Sequence, residues 1–219
     1  MMPPAKGAAP ASLPANAWLA IQLEGNGIEL GTVSAGTICR YVDAFRLGLQ
    51  ATIEMIEAVQ PVQATGRRKR WIERMADLPL VGIESGCVRI LLGAPSQDGL
   101  FAEAEQGAFA RAVEWLFQSL AAASAEDGTV PEPTRWPLPP WTEQRLLNIV
   151  VRLMPPRRGP LHRIAFLRRL SDDEPGLEWI TLDRQSRQRI ERRIEQWHSD
   201  PDGPIQTPTL TRYLPGGFF

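Results

Sequence analysis

Residues 35–59 read AGTICRYVDAFRLGLQATIEMIEAV and carry the clearest structural signal in the chain. From Ile38 onward the apolar residues recur every three or four positions, which places them on one face of an α-helix. They are Ile38, Tyr41, Val42, Phe45, Leu49, Ile53, Ile56 and Val59. Ser34 is a suitable N-cap, and Pro61 cannot continue the helix. We therefore predict one long amphipathic helix over about residues 35–60.

The segment before this helix favours a β-hairpin. Residues 18–24 (WLAIQLE) favour a short strand, and the Asn26-Gly27 dipeptide that follows is a strong hairpin signal. We therefore predict that residues 28–31 form the returning strand or its start, and that order begins at Trp18.

The segment after the helix predicts more strands and a second helix. Residues 80–84 and 87–92 indicate two strands around Ser85-Gly86, or one long strand with a bulge at Gly86. A second amphipathic helix is predicted over residues 101–123. This order of elements favours an α+β fold, with a small antiparallel sheet and two amphipathic helices on one face of it, followed by a mainly helical C-terminal module.

A proline-rich stretch divides the chain into two parts of opposite charge. Residues 128–140 (GTVPEPTRWPLPP) hold five of the chain's 20 prolines, and no helix can run through such a stretch. Up to residue 140 the chain has 11 basic and 15 acidic residues, a net charge of −4. From residue 141 it has 13 basic and 10 acidic residues, a net charge of +3. The two surfaces could pair with each other or with a partner.

The second part contains further predicted elements. Thr142 can cap a helix, and Pro155-Pro156 ends it. Residues 161–170 are ambiguous between strand and helix, whereas residues 179–182 favour a strand. Asp183 then caps a last helix that runs to about His198.

These signals predict five regions. They are a disordered N-terminal arm (1–17), an α+β domain (18–124), a Pro-rich strap (125–140), a basic, mainly helical module (141–198) and a Pro/Gly-rich tail (199–219). Trp136 and Trp141 favour a strap that is pinned to the fold with both indoles buried, because a free linker has no use for large apolar groups. Whether the two parts form separate domains or share one core stays open.

Arginine-rich segments are the candidate contact surfaces. The run Arg67-Arg-Lys-Arg70 precedes Trp71, and arginine beside tryptophan suits phosphate binding and base stacking. The alternative is a solvated helix face paired with acids, which the overall pI of about 6.2 favours over a nucleic-acid domain. The candidate contacts to nucleic acid or a partner are Arg67, Arg68, Lys69, Arg70, Arg187, Arg192 and Arg193.

Catalytic and metal-binding patterns are weak. Cys39 near a helix start, His162 and His198 could take part in an unrecognised active site, but no spacing joins them into a nucleophile–base pair. Two histidines and the two cysteines, Cys39 and Cys87, form no recognisable metal site, and no glycine-rich nucleotide motif is complete. We therefore predict no catalytic, cofactor-binding or metal-binding residues and no cofactor.

Three classes of function remain open. The first is a non-enzymatic, cytoplasmic accessory protein that acts through a protein partner, with Phe218 and Phe219 as candidate anchors in the tail. The second is a nucleic-acid-binding or regulatory protein that uses the arginine-rich second part. The third is an enzyme whose site leaves no motif. No stretch reaches the roughly 18 apolar residues of a membrane helix, so we expect no membrane association.

Overall fold

The computed structural model describes residues 13–59, 68–84, 88–94, 103–124, 143–170 and 176–199. Within these residues the chain forms five strands and five helices. In chain order they are β1 (Leu19–Gly25), α1 (Ala35–Val59), α2 (Arg68–Ala76), β2 (Leu80–Glu84), β3 (Val88–Leu92), α3 (Glu103–Ser124), α4 (Glu143–Leu153), β4 (Leu161–Arg169), β5 (Leu177–Asp183) and α5 (Arg184–Ser199). The predicted α+β class is confirmed, and so are the long helix α1 and the second amphipathic helix, α3.

The strands form one antiparallel sheet in the order β2-β3-β1-β4-β5. The central strand β1 pairs with β3 on one side and with β4 on the other, through Ile21↔Ile90 and Ile21↔Phe166. The sheet therefore joins strands from both sides of the Pro-rich strap. Of the two alternatives left open by the sequence, one shared sheet and core is the arrangement observed in the described parts of 18–124 and 141–198.

The predicted hairpin at Asn26-Gly27 is wrong. Gly27 adopts a left-handed φ of 69°, as a turn requires, but residues 28–31 form no strand. Instead, β1 finds both of its neighbours far away in the sequence, because pairing with β3 and β4 buries its side chains in the core. The ambiguous segment 161–170 forms β4, in which residues 164–168 are all buried because core clusters cover both faces of the sheet there.

All five helices contribute to a core on one face of the sheet. The inward side chains of β1 are Leu19, Ile21 and Leu23, and they pack in one cluster with α1 residues such as Phe45 and Leu49. Phe45 stacks on Phe166 of β4, with ring centroids 6.0 Å apart. The position of α1 across this sheet is therefore fixed by its apolar stripe.

The opposite face of the sheet holds the start of the described chain. Leu13 and Ala17 are buried there against Leu167 and other sheet residues, so order begins before Trp18, contrary to the prediction for residues 1–17. The guanidinium of Arg169 explains this order: it donates to the carbonyl oxygens of Leu13 (2.9 Å), Pro14 (2.8 Å) and Ala17 (2.9 Å). Residues 1–12, the Pro-rich strap with Trp136 and Trp141, and the tail from residue 200 lie outside the described residues.

Candidate binding groove

A groove of about 580 Å³ lies where the first half of α1 meets the end of α4 and the start of α5. Its wall on α1 consists of Arg40, Tyr41, Asp43, Ala44 and Leu47. The opposite wall consists of Val151, Arg152, Met154, Pro156, Arg157 and Arg187. The groove therefore exists only because the apolar stripe of α1 and the helices of the second part pack on the same sheet.

The charge of the groove is positive. Four arginines and one carboxylate, Asp43, line it, and Asp43 already faces Arg46 at 3.7 Å. Arg40 and Arg152 are exposed, and no ion pair links either of them to another of the described residues. As far as the described residues go, both guanidinium groups are therefore available to an anionic group that enters the groove.

Two arginines of α5 hold the loop that forms one rim of the groove. Arg187 donates to the carbonyl oxygens of Val151 and Pro155, each at 3.2 Å, and to Glu191 Oε1 at 2.8 Å. Arg184 donates to the carbonyl oxygens of Pro156 at 3.2 Å and Leu161 at 2.9 Å. Most of the donors of Arg187 and Arg184 are thus used inside the fold, which makes them positioning residues.

Arg157 sits on this loop between two grooves. Its side chain is 69% exposed and pairs with Glu191 at 2.9 Å. It also lines a neighbouring groove of about 370 Å³ together with Gln188, Glu191, Arg192 and Glu195. The second groove has two carboxylates and two arginines, so its charge is balanced, and the first groove is the cationic one.

Tyr41 contributes a buried polar group to the wall of the cationic groove. The residue is 3% exposed, and its hydroxyl makes no hydrogen bond to any of the described residues. Burial raises the pKa of the Tyr41 phenol, and the charges of Arg40 and Arg187 offset this effect only in part. The phenol is therefore a neutral hydrogen-bond donor near Arg40 and Arg187 at physiological pH.

The same wall carries an apolar surface. Leu47 is 42% exposed, and it lies on the helix face of Arg40 and Ala44 because the three residues are four and three positions apart. An exposed leucine is ordinary by itself. Here it shares the groove lining with Ala44 and Val151, and this apolar strip accompanies the four arginines.

Of the predicted contact residues, the structure places Arg187 in the cationic groove and Arg192 in the neighbouring one. Arg70 is exposed on α2 and lines neither groove. Trp71 is 3% exposed in the core and cannot stack on a base. Arg68 and Lys69 on α2 and Arg193 on α5 have side chains outside the described set. Arg67, Phe218 and Phe219 also lie outside the described residues.

The candidate catalytic residues do not meet in either groove. Cys39 is exposed on α1 and His162 is exposed on β4, and neither lines the two grooves. His198 belongs to α5, but its side chain and Cys87 are not described. Among the residues that the structure describes, no three His, Cys, Asp or Glu side chains group in a way that could hold a metal ion. None of the described helices combines the length and apolar character needed to span a bilayer.

The fold and the groove together define an α+β protein with a cationic, partly apolar surface groove. Comparison of the chain with protein-family models, curated proteins and solved structures finds no match in any of the three.

Proposed function

We propose that this chain is a non-enzymatic, cytoplasmic interaction protein that binds a protein partner in the groove between α1, α4 and α5. The observation that carries the proposal is the pair of exposed arginines, Arg40 and Arg152, which have no carboxylate partner among the described residues and lie beside apolar surface. Free cations next to an apolar strip suit a partner that brings both negative charge and apolar side chains.

Two further observations support this choice of class. The exposed and unpaired thiol of Cys39 suits a reducing compartment, which agrees with a cytoplasmic location. Trp71 is buried, which removes the aromatic platform that a nucleic-acid reading of the Arg67–Arg70 run requires. Nucleic-acid binding through the arginines of the second part is the alternative, and Glu191 weighs against it because it already pairs with Arg157 and Arg187 of that part.

A charge-reversal experiment tests the proposal. The full chain and an Arg40→Glu/Arg152→Glu double variant are immobilised and exposed to an extract of the cells that make the protein. Arg158→Glu is the matched control, because Arg158 is exposed on the same loop as Arg157 but lines neither groove. We expect one or more proteins to bind the wild type and the control and to be lost from the double variant.

The salt dependence of capture gives a second reading. Binding that depends on groove arginines should weaken as salt screens the charges, with a Debye length near 10 Å at about 0.1 M salt. Identical captured proteins for the wild type and the double variant would contradict the groove as the partner site. Capture that disappears after nuclease treatment would instead favour the nucleic-acid alternative.

A further inference from the structure

Tyr41 is a buried polar side chain whose hydroxyl has no hydrogen-bond partner among the described residues. It is 3% exposed, it lines the cationic groove, and it makes no hydrogen bond to the other described residues. Because Tyr41 belongs to the lining, a group that enters the groove meets this residue. A buried donor without an acceptor is unfavourable. The position therefore points to a ligand that supplies an acceptor.

The neighbours of this hydroxyl select the charge of the acceptor. Arg40 is adjacent in sequence and lines the same groove, and Arg187 is close enough to act on the phenol electrostatically. A carboxylate accepts hydrogen bonds from a neutral phenol and a guanidinium at the same time. A neutral acceptor would leave the positive charge of Arg40 uncompensated.

The distance along α1 between Arg40 and Leu47 indicates which second side chain the ligand carries and how far it lies from the carboxylate. Leu47 lies seven residues beyond Arg40 on the same helix face, which corresponds to about 10 Å at about 1.5 Å per residue. An extended segment covers that distance in about three residues, at about 3.3 Å per residue. An acidic residue followed three positions later by an aliphatic residue therefore matches both ends of this wall.

We propose that the groove binds an extended acidic segment of a partner protein, with one carboxylate on the Tyr41 hydroxyl and Arg40 and an aliphatic side chain three residues later on Leu47. This inference rests on the proposed function, because it names the ligand of the same groove. The occupant follows from charge complementarity: of the four arginines that line the groove, Arg157 and Arg187 already pair with Glu191, while Arg40 and Arg152 have no carboxylate partner among the described residues.

Short fluorescent peptides and the full chain test this chemistry by anisotropy at low salt. The probe is a Gly/Ser peptide that carries several glutamates and one leucine three residues after the central glutamate. Its matched peptides change that leucine to serine, move it next to the central glutamate, or change all glutamates to glutamine. We expect the first peptide to bind most tightly and the glutamine peptide not to bind.

Two protein variants test the proposed contacts of the probe with Tyr41 and Leu47. Tyr41→Phe removes one hydroxyl and should weaken binding of the probe about tenfold, because a hydrogen bond to a charged group contributes about that much. Leu47→Ser should weaken the probe severalfold and leave the serine peptide unaffected. Arg158→Gln, which removes one exposed charge outside the groove, should keep the affinity within about twofold. Circular dichroism and the melting temperature confirm that each variant is folded.

The outcomes separate this inference from the proposed function. The proposed ligand would be wrong if Tyr41→Phe bound the probe as tightly as the wild type does. It would also be wrong if the wild type bound the leucine and serine peptides with equal affinity. Tighter binding of a single-stranded oligonucleotide than of the probe would overturn it as well. Capture that still depends on Arg40 and Arg152 in the extract would leave the partner function standing in either case. Failure of both experiments would reject the groove altogether.

Discussion

The guanidinium of Arg168 on β4 donates to Glu114 Oε2 of α3 at 2.5 Å. The same group donates to Glu178 Oε2 of β5 at 2.6 Å and lies 4.6 Å from the centre of the Phe117 ring. Its side chain is 8% exposed. This arginine therefore ties a helix from the acidic first part of the chain to two strands from the basic second part.

Removing Arg168 should destabilise the whole fold. The Arg168→Ala variant leaves two carboxylates facing each other without their cation, and we expect a loss of about 2–3 kcal/mol, since both acids keep some solvent contact. Chemical unfolding measures the loss. Arg158→Ala is the control and should change the unfolding free energy by less than about 0.5 kcal/mol. A loss below about 0.5 kcal/mol for Arg168→Ala would show that this cluster does not join the two parts energetically.

Asp183 should make stability depend on pH at the acid end. Burial opposes its ionisation, but hydrogen bonds from the backbone N–H (2.7 Å) and the hydroxyl (2.9 Å) of Ser186 outweigh this, assisted by Arg189 and the Gln185 N–H. The pKa of Asp183 is thus held below its ordinary value. A lowered pKa stabilises the fold above the unfolded value of about 4, and this contribution is lost as pH falls through the folded pKa.

Two substitutions at this position separate the cap from the charge. Asp183→Ala removes the N-cap of α5 and should cost about 1 kcal/mol at pH 7. Asp183→Asn keeps a capping oxygen and should cost less, with a flatter dependence of the unfolding free energy on pH below 5. Parallel pH profiles for the wild type and Asp183→Asn would disprove the role of the carboxylate charge.

Gly25 should not tolerate a side chain. It lies at the irregularity where β1 leaves its register with β4, and a Cβ there would overlap the Pro160 carbonyl oxygen. That obstacle is backbone, so it cannot rotate away, and we expect Gly25→Ala to cost about 1–3 kcal/mol. Gly27→Ala is the comparison for backbone strain without overlap. A Cβ at residue 27 meets open space, but the φ of 69° is strained for alanine. The melting temperatures of the two variants compare overlap with backbone strain, and an unchanged melting temperature for Gly25→Ala would refute the close approach.

Trp71 should accept phenylalanine but not alanine. Its indole Nε1 is buried and makes no hydrogen bond to the described residues, so Trp71→Phe removes an unsatisfied donor while it keeps most of the aromatic packing. We expect a change of less than about 1.5 kcal/mol for Trp71→Phe and a loss of about 3–5 kcal/mol for Trp71→Ala. Urea unfolding distinguishes them. A loss as large for phenylalanine as for alanine would mean that the N–H has a partner.

The sequence predicts those elements whose information is local. The stripe from Ile38 to Val59 and the N-caps Ser34 and Asp183 indicate α1 and α5, and the structure confirms both helices and both caps. The Asn26-Gly27 dipeptide correctly indicates a turn, but it does not determine whether a strand follows that turn and pairs with β1. Which strand pairs with β1 is decided by core burial across more than a hundred residues of sequence.

The groove could be predicted only in part. Arg157 and Arg187 stand out in an arginine-rich segment, but the sequence does not show that Arg187 spends its donors on the Val151 and Pro155 carbonyls. Arg40, Ala44 and Leu47 share one helix face, which is a readable signal for the α1 wall. Their meeting with Arg152 depends on how α1 and α4 pack, and no local pattern encodes that.

The order of the sheet has a consequence for synthesis on the ribosome. Strand β1 is synthesised before its partner β4, which is complete only at Arg169, so Leu19 cannot pair with Arg168 until the chain has grown to that residue. Until then one edge of the future central strand has unpaired backbone groups, which are a template for wrong pairing. Such non-local pairing also slows folding. The nascent chain therefore has a strong physical reason to require protection until its second half emerges, and a chain that stopped at residue 140 would keep that edge open.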